Sequence, residues 1–165
     1  MAMNFLAFRT FITSLFFVFC LCVLLTLLGY VASQYVSGNF RLSTGEVDGD
    51  NFILVLFCNV RNLLLTFIPG AGLAFGVFPM FYAGLAIGAA GKLTLGEVLG
   101  YLLFTPHALL EYFAHSMAMT CNLLLFFKAL GKRGIEKRDV AFYVACIFFC
   151  IFLLVFSAQL EFSGL

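Results

Sequence analysis

Charge is what this chain has least of. Asp, Glu, Lys and Arg make up only 10% of its 165 residues, against about 25% in a soluble domain. Apolar residues fill the gap at 64%, and the mean hydropathy is +1.11. That balance excludes an ordinary soluble domain and defines an integral membrane protein. The length allows one compact bundle over residues 1–165 and no separate soluble domain. A cleavable secretory signal is not expected either. Its apolar core would run about 7–15 residues, whereas the run from Phe11 to Tyr35 is far longer and reads as a retained first transmembrane helix.

The usual catalytic signatures are also lacking. No His-Glu-x-x-His occurs, and Pro69-Gly70-Ala71-Gly72 has neither the lysine nor the Gly-Lys-Ser/Thr ending of a phosphate loop. No serine or cysteine has an evident base and orienting carboxylate around it. All six cysteines, at 20, 22, 58, 121, 146 and 150, fall inside apolar segments, so a disulfide framework is not expected. Cys146 and Cys150 share a helical face, as a metal pair would, but read as buried small hydrophobes. Cys20 and Cys22 point in different directions. The chain reads as non-enzymatic, with no cofactor and no resident metal.

What is present divides into about five spans: 11–35, 52–68, 71–91, 106–127 and 140–159. A polar loop from Ser37 to Asn51 follows the first, Pro69-Gly70 ends the second, and a turn near Lys92-Leu93-Thr94 follows the third. The apolar stretch 98–127 is too long for one crossing. Thirty helical residues measure about 45 Å, against a hydrocarbon core of about 30 Å. Pro106 divides it, with Thr105 as a capping residue and Pro106 at the first helical position, where no backbone donor is needed. Residues 98–104 become a short re-entrant or interfacial helix. The expected fold is therefore an all-α polytopic membrane bundle. Lys128, Lys132, Arg133, Lys137 and Arg138 crowd one loop, and positive charge in short loops marks the cytoplasmic side. This places the N-terminus inside and the C-terminus outside a cell membrane. Topology accounts for these basic residues without nucleic-acid binding.

Gly72, Gly76, Gly84 and Gly88 form a four-residue ladder, with Met80 on the middle rung. Such a face lets helix backbones approach closely. Pro79 beside it removes a backbone hydrogen bond, which predicts a kink or break. On the fourth span His107, Glu111 and His115 form one stripe, with Asn122 near the same face. On the second span Asn59 and Asn62 share a face and Arg61 points elsewhere. A carboxylate at helix centre carries an insertion penalty of about 2.5–3.5 kcal/mol, so Glu111 must face protein or water. Counted from Asn51, Arg61 lies about 15 Å down, and His115 lies about 13 Å down from Pro106. The matching depths predict an Arg61–Glu111 pair with His115 nearby. Either adhesion between helices or a ligand, ion or proton role fits such a cluster. A three-ligand metal site on one straight helix is too extended, since the two histidines are about 12 Å apart along the axis.

Over about residues 50–130 the chain resembles the stage II sporulation protein M family of small multi-pass membrane proteins. Asn59 and Asn62 match its asparagine-bearing span, Gly72 through Gly88 its glycine-rich span, and Pro106, His107, Glu111 and Ala114 its proline–histidine segment. The chain departs from that pattern at Ala83, Ala108, Tyr112 and Phe113. The resemblance implies a membrane anchor and organiser for peptidoglycan-degrading partners that is not itself the hydrolase. Two expectations follow. One is a scaffold in membrane lipid that assembles with itself or with other membrane or envelope proteins. The other is a small transporter or channel lined by His107, Glu111 and His115.

Overall fold

The computed structural model of the protein describes residues 5–36, 52–91, 93–131 and 134–163. The 37–51 loop, Lys132 and Arg133 lie outside the described residues. Six helices account for nearly all the rest: α1 (Phe5–Val36), α2 (Phe52–Thr66), α3 (Gly72–Ala89), α4 (Leu95–Phe104), α5 (Pro106–Leu130) and α6 (Lys137–Ser163). The all-α expectation therefore holds.

Among the described residues, four segments are long and apolar enough to cross a membrane: Arg9–Tyr35, Gly72–Ala89, Pro106–Leu130 and Lys137–Ser163. The expected second span is shorter. α2 has 15 residues, about 22 Å of helix, and falls short of a core of about 30 Å. It stops at Thr66 because the chain must turn before Pro69, and Gly70 takes a positive φ of 82° that an L side chain rarely adopts.

Cross-helix contacts fix the directions. Thr26 on α1 donates to the Met80 carbonyl on α3, and a Cβ at Gly88 would strike Tyr30 and Ser33, so α1 and α3 run parallel. Cys22 meets Met119 and Thr26 meets Tyr112, so α5 runs against α1. Ser157 bonds to His107, Cys150 to Ala114 and Lys128 to Asp139, so α6 runs against α5. Asn59 meets Glu111 and Thr66 meets Asn122, so α2 runs with α5. α1, α3 and α6 thus point one way, and α2 and α5 the other.

α5 is the central helix. Its nine residues from Ala114 to Asn122 are all buried, as expected for a helix enclosed on every side. One apolar cluster gathers Leu63, Phe67, Ala114, Ala118, Cys146 and Leu154 on one flank, and another gathers Val18, Cys22, Met80, Val98, Leu102 and Met119 on the other. Ser116 and Thr120 satisfy their hydroxyls on the carbonyls of Tyr112 and Ser116, four residues back, at 2.6 and 2.8 Å.

The helix boundaries differ in detail from expectation. α4 starts at Leu95, three residues before 98, because Thr94 and Glu97 form a capping box. The Glu97 N–H donates to Thr94 Oγ1 at 3.4 Å and the Thr94 N–H to Glu97 Oε2 at 2.7 Å. That bond from the Thr94 backbone holds the exposed Glu97 carboxyl below its ordinary pKa. Pro106 opens α5 at its first turn, as expected. Thr105 has the extended backbone of an N-cap, but its side chain makes no capping bond. Pro79 lies inside a helix that continues from Gly72 to Ala89, so no break occurs there.

Candidate functional site

Glu111 lies on the face of α5 that meets α2. Its Oε1 accepts a 2.6 Å hydrogen bond from Asn59 Nδ2. The expected partner was Arg61, and the structure corrects this. Two residues beyond Asn59, Arg61 is turned about 200° around the helix and emerges on the outer surface, where its guanidinium reaches Asn62 Oδ1 at 3.5 Å. Rotation about the α2 axis decided the pairing. The ion pairs among the described residues are Lys128–Asp139 and Arg138–Glu136, each 2.6 Å. On translocon-based scales an arginine at helix centre carries the same insertion penalty as a carboxylate, about 2.5–3.5 kcal/mol.

The histidines do not join Glu111. His107 Nε2 lies 2.9 Å from the Tyr101 hydroxyl, and its backbone carbonyl accepts from Ser157 at 2.8 Å. Its Nδ1 is buried without a partner. His115 is 5% exposed, and its Nδ1 likewise has none. Glu161, one turn beyond Ser157 on α6, lies within electrostatic range of Glu111 and Tyr101. The upper end of the α4–α5–α6 junction is thus more acidic than the stripe on α5 alone indicated.

Asn122, at the other end of the stripe, has the fullest set of bonds. It is fully buried, and Nδ2 donates to the carbonyls of Thr66 at 2.8 Å and Ile68 at 2.6 Å. Its Oδ1 accepts from the Gly70 N–H at 3.3 Å. A helix end leaves carbonyls without intrahelical donors, and irregular backbone at membrane depth is tolerated only where protein or water satisfies it. Asn122 performs that service for the α2–α3 turn. Tyr143 on α6 adds a hydrogen bond from its hydroxyl to the Phe67 carbonyl. Gly72 follows at once, and a Cβ there would overlap the Thr66 carbonyl and Asn122 Nδ2.

The glycine ladder faces inward along its whole length. Gly76 abuts Met119 and Thr66, while Gly84 presses on the Thr26 backbone and Gly88 on Ser33. At the middle of this contact Thr26 Oγ1 donates to the Met80 carbonyl at 3.0 Å and lies 2.6 Å from the Tyr112 hydroxyl. Three helices are thereby tied at one point. Thr26, Tyr112, Tyr143 and Ser157 do not stand out in the sequence as cross-helix partners. Their signal was a hydroxyl in an apolar run, which is weak because such groups can also bond to their own helix.

Among the described residues, no three His, Cys, Asp or Glu side chains converge to hold a metal ion. Cys146 and Cys150 are buried against α5, and the Cys150 thiol lies 3.4 Å from the Ala114 carbonyl. Fold and site together define a class: among the described residues, an all-helical bundle, four of whose helices are long and apolar enough to cross a membrane, cross-linked inside by carboxamide, hydroxyl and carboxyl groups. No family model, curated protein or solved structure matches the chain.

Proposed function

We propose that this protein is a non-enzymatic integral membrane scaffold that assembles with other membrane or envelope proteins or with copies of itself. The supporting observation is that its buried polar groups join its own helices. Asn122 bridges α5 to the α2–α3 turn, and Asn59 bonds Glu111 between α2 and α5. The order of Asn59 and Asn62, the glycine ladder, and Pro106-His107 with Glu111 supports kinship with the stage II sporulation protein M family. An anchoring role for envelope machinery fits that kinship. The ladder itself is spent inside the chain and lends no weight to self-association.

In this reading α2 serves as a fifth crossing. The N-terminus is cytoplasmic and the C-terminus extracytoplasmic, with Lys128, Lys137 and Arg138 at the cytoplasmic end. The alternating helix directions agree with it. Purification from native membranes in a mild detergent, followed by mass measurement, tests the proposal. A retained partner or a defined oligomer is expected. A strictly monomeric protein that recovers nothing from its native membrane contradicts it.

The second reading, a small transporter or channel, draws on the buried His115 Nδ1, which has no hydrogen-bond partner, and on Glu161 lying within electrostatic range of Glu111. Proton or cation flux in liposomes that is abolished by Glu111→Gln would favour it. Absence of flux in both proteins favours the scaffold.

A further inference from the structure

The outer face of α2 carries a feature that the bundle leaves unused. Ile53, Phe57, Arg61 and Leu64 point outward from the helix, and Ile68 does so from the turn after it. Ile53 is 75% exposed and Phe57 63%. From Phe57 the spacing runs four, three and four residues, the seam of a helix that lies along another helix.

Arg61 sits on that seam. Nine residues separate it from Phe52, about 14 Å of helix. On the other side five residues lead to Thr66, which is level with Asn122, and six more lead from Asn122 to Lys128, about 16 Å in total. Arg61 is therefore near the middle of a slab of about 30 Å. Its side chain is shorter than either distance, so a lipid phosphate at the surface is a poor counter-charge. Asn62, at 3.5 Å, offers it a carboxamide and no charge.

Among the described residues, a second copy of this chain does not supply the missing anion. Glu111, at the same depth, is turned inward to Asn59, and the other described carboxylates, Glu97, Glu136, Asp139 and Glu161, lie near helix ends. We propose that α2 docks against a transmembrane helix of another protein that presents an Asp or Glu carboxylate to Arg61 at mid-membrane. This rests on the membrane-scaffold reading and names the chemistry of its partner. Phe57, Leu64 and Ile68 supply the apolar seam, and the ion pair sets register.

The test places a photoreactive residue at Phe57 of the full-length protein in native membranes, with Phe148, outward on α6, as the comparison position. The expected product at Phe57 is an adduct with a protein that carries an Asp or Glu within a transmembrane segment. Its yield falls at least tenfold in Arg61→Gln, survives in Arg61→Lys, and returns when Arg61→Glu is combined with an arginine in place of the partner's carboxylate. An adduct between two copies, lipid adducts alone, a partner helix without a carboxylate, or a yield unchanged by Arg61→Gln each overturns the proposal. If Arg61→Gln does not accumulate, Arg61→Lys and the charge exchange decide the outcome. Protein adducts at Phe148 with none at Phe57 overturn the docking at α2 and leave the scaffold standing. No protein adduct at either position counts against both.

Discussion

Asn122→Ala removes three hydrogen bonds from the α2–α3 turn at once. The loss is not three equal shares. Ile68 O keeps a second donor, the Gly72 N–H at 2.7 Å. Thr66 O and the Gly70 N–H lose the Asn122 side chain that satisfies them. An orphaned buried polar group costs about 1–3 kcal/mol, while cross-helix hydrogen bonds in membranes average about 0.6 kcal/mol. With two orphaned groups, one weakened bond and a small void, the expected destabilisation is roughly 2–4 kcal/mol. Unfolding in a detergent–denaturant series measures it directly. Asn122→Asp sharpens the test, because the carboxylate can still accept from Gly70 but would face two carbonyl oxygens. It is expected to be less stable than Asn122→Ala at neutral pH. An alanine variant within about 0.5 kcal/mol of wild type, the range of an ordinary surface substitution, would refute the turn-clamp account. So would an aspartate variant more stable than the alanine one.

Other outcomes follow from the same contacts. Gly84→Ala drives a Cβ into the Thr26 backbone and should cost about 1–3 kcal/mol as α1 and α3 separate. Gly100→Ala meets nothing within 4 Å and should gain roughly 0.5–1 kcal/mol; equal effects from the two in thermal denaturation would contradict the inward ladder. Tyr143→Phe removes the donor to Phe67 O and should cost about 1 kcal/mol, measured in the same unfolding series. The Glu97 carboxylate caps α4 with a lowered pKa, so its contribution is complete above the ordinary glutamate range and is lost as pH falls through the lowered value. Amide exchange at the start of α4 should accelerate over that fall in wild type and be independent of pH in Glu97→Gln, after correction for intrinsic exchange.

The helices were largely legible because long apolar runs are punctuated by few residues able to stop them. Pro106 marked the start of α5 correctly, since a proline fits a first helical turn and little else within such a run. α4 starts three residues before the apolar stretch at 98 because Thr94 and Glu97 form a capping box that hydropathy does not register. That α2 and α5 carry polar groups able to meet was legible too, and Asn59 bonds Glu111. Rotation was not, and it separated Arg61 from Glu111, because which face of α2 meets α5 depends on the whole bundle. The partners of Asn122 were hidden for a different reason. They are backbone groups of a turn, and a sequence does not announce which carbonyls a turn leaves open. The glycine ladder is legible as a packing face, but its partners are not: Gly84 and Gly88 meet α1, while Gly72 and Gly76 meet α2 and α5 of the same chain.

The central claim is that the polar groups inside this bundle bind its helices to one another. A double-mutant cycle on Asn59 and Glu111, using Asn59→Leu, Glu111→Leu and the combination, measures that directly. A favourable coupling of about 0.5–2 kcal/mol in unfolding free energy is expected, in the range of intramembrane hydrogen bonds. A coupling indistinguishable from zero would contradict the claim.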